Sequence, residues 1–300
     1  MTNATGKMIT GYGSLLDYGT TLNNNGEVTA QGGALAIGGN VVNAGLVLAS
    51  GTNTLQLSGS LTNNPLGTVR AADGTSISLG EVTNNGTIEV TNGGGGGGIT
   101  LGSASGDGTY SLEQGRLFVH QNLDLSQYAV LQDNYVSSTI EVIGNLSKAQ
   151  GAMSEFDADH IDMKVYNPFP LGFPHQILWR AQDKEARAIG LLDNLALGHF
   201  TLGDNVGQKL SDQFKMVDDT IIYCYGLTLN TDADVDLGGG IIYYLRNGVT
   251  YNGITGTGFD DLGHYSNGQI IEIVPEPASL VCLAAAAALL LSTRRRRTPP

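Results

Sequence analysis

The sequence predicts an all-β fold, a parallel β-helix (β-solenoid) with coils of about 20 residues, followed by a C-terminal transmembrane helix. Three observations carry this prediction. Short alternating apolar runs recur with Asn/Gly-rich turns between them. Two independent features repeat with the same period. The segment 275–300 then switches abruptly to one apolar run and a block of arginines.

The repeat fills positions 1–150. "LNNNGEV", "VVNAGLV", "LTNNPLGTV" and "VTNNGTI" place turn glycines at Gly26, Gly45, Gly67 and Gly86, spaced 19, 22 and 19. "ALAIGG", "TLQLSG", "SISLGE" and "GITLGS" place Ile37, Leu57, Leu79 and Leu101 at spacings of 20, 22 and 22. Alternation at period two marks strands with one buried face. One such unit cannot bury its apolar side alone, so neighbours must stack. Asn and Gly are expected to supply left-handed backbone at the corners, with asparagines exchanging amide hydrogen bonds between coils. The competing architecture, a flat antiparallel β-sandwich, gives no reason for a fixed period. The run "TNGGGGGG" has no Lys-Ser/Thr and no helix after it, which argues for an insertion rather than a phosphate loop.

Residues 1–150 are therefore assigned to solenoid repeats. Residues 151–194, with the single tryptophan Trp179, a proline- and aromatic-rich loop and a short helical pattern, read as an excursion or small lid. Strand runs return over 195–246 as closing coils, whose tyrosines are expected to cover the apolar end with wet hydroxyls. Residues 247–274 read as a Gly/Asn-rich linker, and 275–300 as a separate terminal signal.

Composition narrows the function. The formal charge is −13, and −17 once the four terminal arginines are set aside. Such a surface disfavours nucleic acid, which needs a basic face. The two cysteines, Cys224 and Cys282, make no disulfide framework and no zinc spacing, and no cofactor motif occurs. Acidic strands supply the candidates for chemistry. "FDADHIDMK" carries Asp157, Asp159, His160 and Asp162, with Asp157 and Asp159 on one strand face and His160 on the other. "TDADVDLGG" places Asp232, Asp234 and Asp236 on one face, a weak calcium candidate through oxygen ligands. A glycosidase would need two such carboxylates across a groove. The simpler reading of both runs is a solvated strand face. The remaining histidines, including His120, His175, His199 and His264, sit in no nucleophile–base motif.

In the tail, Pro275-Glu276-Pro277 precedes a run from Ala278 to Leu291 that is apolar apart from Ser279, and then Arg294, Arg295, Arg296 and Arg297. Fourteen helical residues span about 21 Å, short of a hydrocarbon core of about 30 Å. Flanking arginines snorkel and, by the positive-inside rule, stay cytoplasmic. This order of motif, apolar run and basic cluster resembles the PEP-CTERM sorting signal. The resemblance covers the terminal segment alone. It implies an exported protein, anchored briefly in the membrane and then cleaved near Pro275 to Pro277 by an exosortase. "VDLGG" and "IYY" (Val235–Gly239, Ile242–Tyr244) are also similar to a pattern near the end of PEP-CTERM passengers. The expected whole is an exported, non-enzymatic surface or matrix protein with an autotransporter-like solenoid passenger and extracellular polysaccharide as a partner. A carbohydrate-active enzyme on the same scaffold is the alternative. The start, "MTNATGKMITGYGSLLDYG", lacks the apolar region of a signal peptide, so a missing N-terminus is expected.

Overall fold

A computed structural model describes residues 1–91, 98–133, 138–149, 157–166, 174–192, 194–204, 212–217, 219–251 and 253–275. The chain winds into a repeat of three strands per coil, and the strands of the coils pair in parallel with their counterparts in the next coil, for about ten turns; a short antiparallel pair, Thr250–Tyr251 with Ile254–Thr255, stands outside this stack. The first face runs from Thr2–Asn3 through Thr21–Asn24, Asn40–Asn43 and Leu61–Asn63 to His264–Ser266. The second contains Leu46–Ala49, Thr68–Ala72, Thr87–Thr91, Thr109–Leu112 and Val130–Asp133. The third contains Thr54–Leu57, Arg116–Val119, Ser138–Val142, Ala158–Val165 and Leu197–Leu202. The parallel β-helix expected from the period is the observed architecture, and the antiparallel sandwich is excluded by the parallel registers.

The two phases of the repeat have separate physical causes. Ile37, Leu57, Leu79 and Leu101 pair directly and continue into Val119, Val142, Val165, Leu202 and Leu229. All nine are buried. Each such side chain contributes roughly 1.5–3 kcal/mol by burial. The glycine phase marks the corner between the first and second faces. Left-handed backbone is not its cause, a correction to the expectation, because Gly26, Gly45, Gly67 and Gly86 all lie outside the positive-φ set. A Cβ on Gly45 would overlap the Gly26 carbonyl of the coil below. Close approach of successive coils demands glycine there.

Beside those glycines runs a buried amide ladder. Asn3 Nδ2 donates to Asn24 Oδ1, Asn24 to Asn43, Asn43 to Asn63 and Asn63 to Asn84, each at 2.8 Å. The same amides also donate to carbonyls that open the next second-face strand, such as Leu46 O and Thr87 O. Buried polar groups are tolerable only when bonded in this way. The column then changes hands, to Leu125, Lys148 and Trp179. Lys148 is fully buried, and its Nζ donates to Ser126 O at 2.7 Å and Ala129 O at 2.8 Å. Burial lowers its pKa to about 8.

Three further expectations need correcting. Within 151–194, Ala158–Val165 and His175–Trp179 are regular members of the stack. The true excursion begins after Arg180, which bridges to Ile221, and returns before Leu197. It contains one 3-10 turn, Ala188–Leu191, which packs against Ile221–Leu229. Tyr223 Oη accepts from the Lys184 N–H at 2.8 Å and donates to Glu185 O at 2.9 Å, while Tyr243 Oη donates to Asp183 Oδ1 at 3.0 Å. The tyrosines thus hold the excursion down, and their hydroxyls are bonded rather than wet. A Cβ at Gly190 would overlap the Tyr223 ring. Second, 247–274 is not simply a linker: Gly258–Asp261, His264–Ser266 and Gln269–Ile273 form the closing coil, because Ile270, Ile271 and Ile273 pack on the core. Third, the expected transmembrane helix is not found. Among the described residues no helix is long and apolar enough to cross a membrane, and the only helical element is that short 3-10 turn. The apolar run behind that expectation falls in 276–300, outside the described residues.

Candidate functional site

The outward side chains of the third face form registered columns. One runs Ala34, Thr54, Ser76, Gly98; its neighbour runs Ala36, Gln56, Ser78, Thr100. Apart from Gln56 these side chains are short, and the level they set is a shallow trough at Ser76, Gly98 and Thr100. In the next coil both columns rise at once, to Arg116 and Phe118. A third step sits beside them, where Ser58, Gly80 and Gly102, each following an inward leucine, give way to His120. Strand alternation places Arg116, Phe118 and His120 on one side of "RLFVH" and Leu117 and Val119 in the core.

The three wall residues support one another. The Arg116 guanidinium lies 5.3 Å from the Phe118 ring centroid, and His120 meets that ring edge-on at 4.6 Å. Arg116 Nη2 pairs with Glu141 Oε2 at 2.6 Å in the following coil, and Tyr166 Oη also donates to Glu141 Oε2 at 3.3 Å. Burial and the Glu141 carboxylate raise the Tyr166 pKa to about 12. At the foot of the wall lies a depression of about 250 Å³, lined by Ser76, Gly98, Thr100, Arg116 and Phe118.

The acidic candidates are arranged differently from the sequence expectation. A register shift between Ala158 and Asp162 breaks the alternation of that strand. His160 therefore does not point away from its neighbours; its Nδ1 lies 2.8 Å from Asp159 Oδ1. Asp157 joins them, with one ligand atom from each residue all within 4.8 Å of one another. Burial, then the hydrogen bond and charge of Asp159, raise the Asp157 pKa to about 6. Asp162 faces outward on the third face, registered with His199, and burial raises its pKa. Both His199 nitrogens are engaged, Nδ1 with Thr257 Oγ1 at 3.1 Å and Nε2 with Thr228 Oγ1 at 2.8 Å.

Asp232, Asp234 and Asp236 do not act as a trio. Asp232 sits at a corner with Asp204 and Asp212, their ligand atoms again within 4.8 Å. Asp234 and Asp236 instead line a separate depression of about 240 Å³ on the first face, with Lys215 and Asn267. Hydrogen bonds from Asn267 Nδ2 and the Gly238 N–H hold the Asp236 pKa down. Of the residues expected to form a sorting motif, Pro275 lines a cavity of about 500 Å³ with Arg187, Ile189 and Tyr251. Glu276, Pro277, Arg294, Arg295, Arg296 and Arg297 lie outside the described residues.

Sequence reasoning missed the wall and the buried Lys148. The wall had a signal: aligned in repeat phase, "GITLG" and "RLFVH" differ at every outward position and stay aliphatic at every inward one. Lys148 had none, because a lone lysine after a strand reads as exposed. Comparison with protein-family models, curated proteins and solved structures yields no match to this chain.

Proposed function

We propose that the chain is an exported, non-enzymatic surface or extracellular-matrix protein, structural or adhesive, that contacts extracellular polysaccharide. The observation that supports this reading is the long stack of parallel coils, internally tied by the asparagine ladder, which presents registered polar columns on a rigid rod. Pro275, Glu276 and Pro277, with Arg294 to Arg297 after them, act as the address that an exosortase-type enzyme reads and removes. The acidic surface, −17 without those arginines, suits a soluble exterior. Expression in an exosortase-bearing bacterium, followed by fractionation, tests the proposal. The expected product lacks the terminal signal and is recovered from the envelope or medium. Recovery of the uncleaved chain from the cytoplasm overturns it.

The second reading, a carbohydrate-active enzyme, draws on the raised pKa of Asp157 beside Asp159 and His160. The carboxylate oxygens approach within 4.8 Å, whereas glycosidase pairs stand roughly 5–9.5 Å apart to admit the sugar or a water. Sugar release lost in Asp157→Asn would favour the enzyme.

A further inference from the structure

We propose that the trough on the third face, closed by Arg116, Phe118 and His120, binds a pyranose residue of a neutral hexose polysaccharide. This inference rests on the matrix-contact reading and adds the site and ligand class to it.

Shape is the first argument. Among the described residues, the side chains below the wall are short from Ser76 to Thr100, with Gln56 the one long side chain further along, and the simultaneous rise from Gly98 to Arg116 and Thr100 to Phe118 closes one end. The depression of about 250 Å³ there lies below the roughly 300–1,000 Å³ of sites for drug-sized ligands, a scale suited to one sugar ring. A polymer leaves through the open end, over Ser76 and Thr54. An extended peptide is a poorer fit, because strand addition requires a free sheet edge and the trough is a sheet face.

Chemistry is the second argument. A pyranose has an apolar C–H face and a rim of hydroxyls. Phe118 is half-buried, with the Arg116 guanidinium over one ring face and His120 packed edge-on; the part of the ring that lines the depression is the aromatic surface left for the former. Ser76 and Thr100 hydroxyls serve the latter as donors or acceptors. Arg116 adds guanidinium N–H groups beyond the one that meets Glu141. That ion pair neutralises the local cation, and the chain as a whole carries −13. A polyanion is therefore repelled, which selects a neutral polymer.

Affinity electrophoresis of the full chain through gels containing hydroxyethyl cellulose, galactomannan or polygalacturonate tests the site. Wild type is expected to be retarded by at least one neutral polymer and to pass freely through polygalacturonate. Phe118→Ala is expected to weaken retardation about 10-fold, Thr100→Trp to abolish it by filling the depression, and Phe118→Tyr to retain it. Far-UV spectra check that each variant keeps its strands. Equal retardation of wild type, Phe118→Ala and Thr100→Trp overturns the site but leaves polysaccharide contact standing. Retardation by polygalacturonate alone overturns the neutral class. Free passage of wild type through all three gels overturns both the site and polysaccharide contact, while export is judged separately by fractionation.

Discussion

The coils up to residue 149 and the coils after it solve the same packing problem with different materials. In the first region the ladder asparagines are separated by 21, 19, 20 and 21 positions, and one small amide fills the same inward corner position in each coil from Asn3 to Asn84. In the second, Leu146 pairs with Ile177, Ile177 with Met216 and Val235 with Tyr265, so the coils are longer and uneven. There the interior holds Trp179, Phe200 and Phe214, and the excursion is fastened by Tyr223, Tyr225 and Tyr243. A ladder of identical amides works only when every coil turns the corner identically. Once coils vary in length, bulky side chains must fill individual gaps and excursions must supply their own hydrogen bonds.

Four measurements probe this contrast. The largest effect is expected from Trp179→Ala, which removes a fully buried indole and its 2.9 Å bond to Leu195 O. A loss of about 3–5 kcal/mol in urea unfolding, read by far-UV signal, is predicted. Next comes Asn63→Ala, which cuts the ladder at its fourth asparagine. It removes the acceptor of Asn43 Nδ2 and the donor to Asn84 Oδ1 and Thr87 O. A cost of about 2–3 kcal/mol is expected. Because solenoid coils couple mainly to their neighbours, its far-UV transition should move to lower urea while Trp179 fluorescence moves less. Coincident transitions would show that the two regions unfold as one.

Lys148→Met should cost about 1–2 kcal/mol by removing the ammonium donor of Ser126 O and Ala129 O, the former keeping only the Ala129 N–H. The wild type also carries a pH signature. Folded Lys148 titrates at about 8, below its ordinary 10.5, so between those values the unfolded chain holds more protons. Stability should climb with pH across that window, and the Met variant should lose this rise. The smallest effect is expected at Asp157, whose pKa is raised from 3.8 to about 6. The folded chain holds the extra proton in that range, so the contribution is complete below 3.8 and fades as pH rises through 6. Asp157→Asn should flatten that slope without moving either region's transition at low pH.

Much of the first region was legible because its period has a local cause. Glycine must recur where coils approach closely, and Ile37, Leu57, Leu79 and Leu101 must recur where they stack. The candidate site was less legible. Asp159 and His160 alternate in sequence yet meet in space, because a register shift at one strand is set by the strands on either side. Asp232 leaves Asp234 and Asp236 for a corner shared with Asp204 and Asp212, a proximity that depends on coil length rather than on spacing along the chain.

By itself, then, the sequence determined the all-β class, the coil period, the inward column and the asparagines that tie it, since each follows from side chains repeating against copies of themselves. The tertiary structure alone decided which outward residues share a surface. Arg116 and Phe118 become a wall, with His120 beside them, only because Gly98 and Thr100 stand below them in register, and register is a property of stacked coils that no single coil contains.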